Sequence, residues 1–251
     1  MRFKNFLIYL SRRIGFYPTP LLGRQDFQQI KRFLKPIVNG HELIRVGSEG
    51  DGGYLIPHDL DGISALISPG VSDNMQFEIS IYEQFKIISF MYDGSVEAPT
   101  EITPNQYFFK KFVGPVTNGD FVNLNHILEK DLKGVKGDLI AQIDIEGAEI
   151  EFMNASSSDD LKRFRIIVVE FHELDRWLQK RYYFEKIKPL FERIYCDFDL
   201  VHYHPNTVSE RLKYFSEYLP KTIELTFHRK DRAINYDGFA VLPHPLDKNN
   251  S

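Results

Sequence analysis

The chain has 251 residues, 43% hydrophobic and 26% charged, which supplies apolar sequence for a sizeable core and argues against disorder. Its net charge of -4, from 31 Lys and Arg against 35 Asp and Glu, excludes a chain-wide basic surface for the phosphate backbone of nucleic acid, and no nucleic-acid partner is expected. Cys196 is the only cysteine, so an intramolecular disulfide and a cysteine-rich zinc site are excluded and a reducing, cytoplasmic compartment is expected.

At the start, Phe3, Phe6, Leu7, Leu10 and Ile14 recur at helical spacing among Arg2, Lys4, Arg12 and Arg13. The apolar run from Phe6 to Leu10 is too short to span a bilayer and lacks a small-residue cleavage site after it. A basic amphipathic helix is expected, packed on its own domain or a partner, or lying on a membrane surface. The Pro-bearing stretch at 15–23 reads as a linker, giving an N-terminal helical extension over residues 1–40 and one main domain over 41–248.

In that domain HELIRVGSEGDGGYLIP clusters Gly47, Gly50, Gly52 and Gly53 around Asp51. Without a Walker lysine it is not a phosphate loop. A β-hairpin ending in GYLIP is one reading, and a loop over a ligand with Asp51 and Tyr54 in its lining is the other. From about residue 63 onward, ISALIS, KIISFMY, GDLIAQIDI and FRIIVVEF read as strands. Helical patterns at Gln76–Phe85, Asn125–Asp131 and Ala148–Ala155 fall between them, the last opening among Glu146, Glu149 and Glu151, where the helix dipole favours negative charge. The alternation predicts βαβ units, a parallel sheet and an α/β fold. Three further strand-like stretches, FDLVHYH, TIELTFHR and GFAVLPH, lack a crossover helix between the last two, which predicts an antiparallel C-terminal hairpin at the sheet edge.

Ligands of open α/β sheets sit beyond the carboxyl ends of the strands. After the first parallel strand the chain reads Ser68, Pro69, Gly70, Val71, Ser72, Asp73, Asn74, where Gly70 allows close backbone approach and Asp73 or Asn74 can cap the next helix. The following strand ends at Asp93, an acid placed to accept hydrogen bonds from ribose hydroxyls. The turn lacks G-x-G-x-x-G, so it suits a nucleoside without a pyrophosphate better than a dinucleotide.

The run DLIAQIDIEGAEIEFM at 138–153 resembles the signature of FkbM-type methyltransferases, and RVGSEGDGGYLI, SPGVSDNMQFE, VVEFHEL, HYHPN, IELTFHRKD and LPHPLDKNN follow the family's order over roughly 41–248. The resemblance implies a Rossmann-like methyltransferase sheet of seven strands, mostly parallel, with helices on both faces. It also implies S-adenosylmethionine as methyl donor and a hydroxyl acceptor on a sugar, glycan or related small molecule. Gly70 and Asp93 match its first-strand turn and ribose-binding acid, and Asp144, Glu146, Gly147 and Glu149 match its fourth-strand motif. The turn SPGVSDN departs from the richer glycine pattern of many methyltransferases. The cofactor-side candidates are Asp51, Ser68, Gly70, Asp73, Asp93 and Asp144.

An alcohol is a poor nucleophile at neutral pH and needs a proton acceptor or a cation beside it. Asp144 and Glu170 end neighbouring strands about 4.8 Å apart in the implied order, and His172 follows on the same side as Glu170. These three are the catalytic candidates, the carboxylates either raising one another's pKa or sharing a divalent metal ion, an alternative that stays open. Competing with these roles, Asp144 and Glu146 can simply cap the next helix, and His172 can be a structural imidazole. His202 and His204 share a strand face and read as packing residues rather than ligands. Glu224 reads as part of an edge strand, and Arg229 with Lys230 as its solvated exit or as a reader of an acidic sugar. Trp177, Tyr182, Tyr183 and Phe184 can stack on a sugar, while Phe184, Ile187 and Leu190 through Phe191 equally fit a buried helix stripe. Two rival functions remain: a nicotinamide-dependent oxidoreductase, which should carry a triple-glycine turn, and a non-catalytic scaffold of the same fold.

Overall fold

The four strand-like runs after residue 63 are buried on both faces, as parallel strands covered by helices on either side require. In the computed structural model, which describes residues 19–72, 74–100 and 102–250, they form the middle of one seven-stranded sheet. β1 (Leu43–Gly47) and β2 (Gly53–Pro57) form an antiparallel hairpin ahead of the sheet. Then come β3 (Ile63–Pro69), α1 (Gln76–Phe85), β4 (Ile88–Tyr92) and β5 (Gln106–Phe109). Two-residue strands β6 (Phe112–Val113) and β7 (Phe121–Val122) precede β8 (Asp138–Ile143), α2 (Glu149–Ala155) and β9 (Phe164–Phe171). The chain continues through α3 (Lys188–Asp197), β10 (Phe198–Pro205), the hairpin β11 (Arg211–Tyr214) and β12 (Glu217–Pro220), and β13 (Ile223–Arg229).

The sheet order is β10-β13-β9-β8-β3-β4-β5. β13 runs antiparallel to both β9 and β10, and the remaining pairs are parallel. The antiparallel pair expected at this side is present, but its members differ from the expectation. FDLVHYH and IELTFHR are the pair, whereas GFAVLPH forms no strand of the sheet and only Phe239 makes an isolated bridge, to Ile37. Pro243 and Pro245 remove backbone donors from that stretch, and the Ile37 amide already donates to Leu200 of β10, so the edge is occupied. Glu224 consequently lies on an interior strand rather than an edge.

Alternation along the strands divides the core. Leu139, Ala141 and Ile143 of β8 with Ile167, Val169 and Phe171 of β9 face α2 and α3, through Ile150, Met153, Leu190 and Phe191. Ile140, Ile166 and Val168 face the β1–β2 hairpin and α1, through Tyr54, Ile56, Phe77 and Ile81. A further helix at Arg24–Phe33 places Phe27, Ile30 and Phe33 in the first of these cores, with the Phe33 and Phe191 rings stacked at 5.2 Å. The amphipathic helix expected near the N-terminus and Asp73 lie outside the described residues. Among the described residues no helix is long and apolar enough to cross a membrane.

Candidate active site

At the carboxyl ends of β3, β4 and β8 the chain turns sharply and leaves a cleft of about 500 Å³, within the size range of small-molecule sites. Gly70 sets its floor, with φ at +85°, and a Cβ there would lie 1.4 Å from the backbone oxygen of Asp144. The Gly70 amide donates to Tyr92 and the Asp144 amide to Pro69, so the three strand ends are tied together at this point. The close approach that demands glycine is therefore to the β8 turn.

Asp93, directly after β4, lines the cleft. Its carboxylate accepts the Ser72 amide at 2.9 Å and the Ser95 amide and hydroxyl at 2.7 and 2.6 Å. Burial alone would raise its pKa, but these bonds hold it below the ordinary carboxylate value. The glycine-rich segment is a hairpin, and its turn brings Asp51 and Gly52, with Tyr54 after it, into the cleft wall, Asn74 donating to the Asp51 carbonyl at 3.2 Å. Ser68 does not line the cleft. It lies behind the floor, bonded to Glu78 and, at 2.8 Å, to Gln142, whose amide donates to Tyr54. Burial lifts the Glu78 carboxyl to about 7, with the Ser68 bond opposing.

The turn after β8 is folded by two left-handed residues, Glu146 at φ +53° and Gly147 at φ +100°. Neither Asp144 nor Glu146 caps α2, whose N-cap residue Ala148 has no side-chain bond. Instead Glu149, 1% exposed, reaches back to accept the amides of Gly147 at 2.8 Å and Ile145 at 3.3 Å. The same Glu149 oxygen lies 3.1 Å from His172 Nδ1. His172 Nε2 is then surrounded by carboxylates: Glu146 at 3.6 Å, Asp144 at 3.9 Å and Glu170 at 3.9 Å.

The structure thus brings Asp144, Glu170 and His172 together, with only Asp144 of the three on the cleft itself. Burial and the neighbouring Glu170 push the Asp144 carboxyl up to about 8. Burial alone would lower His172, but the Glu149 bond and the charges of Glu149, Asp144 and Glu170 raise it to about 9. Glu170 is raised by burial, against the hydrogen bond from Asn206 and the charge of His172. Ligating atoms of Asp144, Glu149 and His172 lie within 4.8 Å of one another, a set that could gather a cation, although one Glu149 oxygen already serves two amides and the imidazole.

Other sequence candidates lie elsewhere. Arg229 pairs with Asp138 and Asp231 at the opposite end of the sheet, far from any reading of an acceptor, and Lys230 donates to the Tyr195 carbonyl. Trp177, Tyr183, Ile187, Leu190 and Phe191 are buried core residues, whereas Phe184 is exposed and Tyr182 carries Arg176 over its ring, so the buried stripe leaves out Phe184. His202 bonds Asp247. Residues the sequence did not single out are Glu78 and Gln142 in the floor and the stacked pair Phe112 and Phe121, 5.3 Å apart at the mouth. Two Phe-Val dipeptides are too short for a periodicity signal, and their repetition nine positions apart, on either side of Gly114 and Gly119, is the hint the sequence holds.

A seven-stranded sheet with one antiparallel strand inserted beside its end, and a cleft over the first, second and fourth strand ends, defines a methyltransferase-like α/β protein. The family model of the methyltransferase FkbM domain matches residues 95–200 of the chain. The match includes Asp144, Glu149, Glu170 and His172, whereas Gly70 and Asp93 precede it. Comparison with curated proteins gives no match.

Proposed function

We propose that the protein is an S-adenosylmethionine-dependent O-methyltransferase acting on a hydroxyl of a sugar, glycan or related small molecule in the cytoplasm. The observation that carries this reading is the charge of the cleft. Among the described residues its lining has five carboxyl groups, Asp51, Glu78, Asp93, Asp144 and Glu146, and no Lys, Arg or His. A pyrophosphate would meet no counter-charge there, which argues against a dinucleotide, whereas a cationic nucleoside sulfonium is complementary. Bound there, S-adenosylmethionine supplies an electrophilic methyl group. Asp93, already oriented by Ser72 and Ser95, is placed to accept ribose hydroxyls, and the backbone around Gly70 offers contact without a side chain in the way.

Asp144 Oδ1 is buried and has no hydrogen-bond partner among the described residues. In this reading the Asp144 carboxyl group, which lines the cleft, takes the acceptor's hydroxyl proton, and a value of about 8 is matched to that work near neutral pH. His172, held by Glu149, stabilises the carboxylate form, and Glu170, outside the cleft lining, faces the same imidazole nitrogen as Asp144. The pairing of Asp144 with Glu170 around one imidazole beside a formed cleft favours an enzyme over a scaffold.

Titration calorimetry with S-adenosylhomocysteine and with NAD tests the donor: the first should bind and the second should not. With donor binding confirmed, Asp144→Asn should lower turnover of a hydroxyl acceptor about 100-fold, the lower end of general-base contributions. Measured with and without chelator, the variants Asp144→Asn and His172→Ala also test whether a divalent cation takes part. Unchanged turnover in both variants discards the assignment of these residues.

A further inference from the structure

The register places four polar side chains in one row across adjacent strands. His204 of β10 lies opposite Glu224 of β13, and Glu224 opposite Glu170 of β9, with Asp144 following β8 on the other side. Glu224 and Glu170 are buried. Two buried carboxyl groups side by side cost stability unless donors hold them apart or one keeps its proton. The donors come from outside the matched family region. Asn206 Nδ2 donates to Glu170 Oε1 at 3.0 Å, the same oxygen that faces His172 Nε2. Asn250 Nδ2 donates to Glu224 Oε1 at 2.6 Å.

The two asparagines are themselves coupled. Asn250 accepts the Thr207 amide at 2.9 Å and donates its own amide to Thr207 Oγ1 at 2.8 Å, fixing the loop that carries Asn206. That loop is folded on Asn206, whose side-chain oxygen accepts the amides of Val208 and Ser209. The segment from His244 to Asn250 is anchored by Asp247, which accepts from His202 Nε2 at 2.9 Å and from the His244 amide at 2.7 Å. Lys248 reaches Glu49, in the turn of the β1–β2 hairpin, at 3.5 Å.

We propose that the segment His244–Asn250 is a strap whose Asn250, acting through Thr207 and Asn206, is a positioning residue for Glu170. It also makes Glu224 a third carboxyl group of the reaction centre. The consequence for catalysis rests on the methyl-transfer reading; the coupling itself does not. Glu224 is surrounded by Glu170, His204, Asn250, Arg45 and Tyr54, and Glu170 by His172, Asn206, Asp51, Glu146 and Asp144. Burial lifts Glu224 to about 7, with His204 and Asn250 opposing, so its protonation state answers to the strap. Without Asn250 the carboxylate form of Glu224 loses a donor, the loop loosens, and Glu170 loses its hold on Asn206.

The test is a carbon-13 NMR titration of protein labelled at the glutamate side-chain carboxyl, with the two signals assigned by Glu170→Gln and Glu224→Gln. Asn206→Ala should raise the Glu170 midpoint, and Asn250→Ala should raise both midpoints, each by about half a pH unit or more. Lys248→Ala, which removes only a solvent-exposed pair, should leave both where they are. If Asn250→Ala does not fold, Thr207→Val breaks the same link and should move Glu170. A folded Asn250→Ala or Thr207→Val protein with an unmoved Glu170 midpoint overturns the strap. Failure of the wild-type protein to bind S-adenosylhomocysteine would instead count against methyl transfer, and leaves the titration to decide the strap independently.

Discussion

Gly70 carries the site's most stringent steric demand. Alanine there would need a left-handed backbone and would place its Cβ 1.4 Å from the Asp144 carbonyl, so the turns after β3 and β8 would have to separate. Gly70→Ala should destabilise the protein by about 2 kcal/mol or more in denaturant unfolding, and the folded fraction should bind S-adenosylhomocysteine poorly. Wild-type stability and affinity would mean that the two turns do not meet as described. That glycine was needed at 70 is legible from the Pro-Gly turn after an apolar strand, but its neighbour is not, because Asp144 is remote in sequence and adjacent only through pairing of β3 with β8. Glu149 is a similar case. Its motif spacing places it in the first turn of a helix, while its bond to His172 depends on how α2 and the end of β9 pack.

Far from the cleft, the β2–β3 connection is locked to β9 and β13 through Asp59. It pairs with Arg165 at 3.2 Å and Arg232 at 2.8 Å and bonds His228 Nε2 at 3.1 Å. Burial alone would raise Asp59, but the arginines and His228 hold it down at about 2. Its pKa when folded is thus below its value when unfolded, so its stabilisation is present above the ordinary carboxylate range and is lost as pH falls through about 2. His228, pushed down to about 4 chiefly by burial, adds stability present above its ordinary pKa and lost as pH falls through about 4. Both act in the same direction, so unfolding free energy should decline on acidification. With its side chain 7% exposed, Asp59 contributes on the order of 2 kcal/mol at pH 7. Asp59→Asn should lose this and flatten the decline between about pH 4 and 2; an unaltered acid profile by circular dichroism would refute the lock. None of these partners was singled out in the sequence, where each is an ordinary charged residue. Strands were readable because apolar runs are local, and the strand assigned to GFAVLPH failed because only the occupied edge of β10 tells that stretch it has nothing to pair with.

Taken together, the cleft and the His172 cluster concentrate negative charge in a protein whose net charge is only -4. A carboxyl at about 8 is mostly protonated at neutral pH, and a cation beside it would favour the carboxylate. Binding of S-adenosylmethionine at about pH 7 should therefore release a proton, and binding of the uncharged thioether S-adenosylhomocysteine should release markedly less. The release should fade above about pH 8. Calorimetry in buffers of different ionisation enthalpy measures it, and equal release for the two ligands would remove Asp144 from the neighbourhood of the sulfonium.

The amino-acid order alone settles the α/β class, most strand and helix positions, and the residue types at the ends of β3, β4, β8 and β9, because burial patterns and turn chemistry act over a few neighbours. The order also carries the DIEGAE motif, and with it the similarity to the FkbM domain over residues 95–200. Which carboxyl groups become neighbours is decided by strand order and register, since Asp144 meets Glu170 through the pairing of β8 with β9, and Glu224 meets Glu170 only when β13 inserts antiparallel beside β9. Their pKa values follow from that placement, because burial and like charge act through space rather than along the chain.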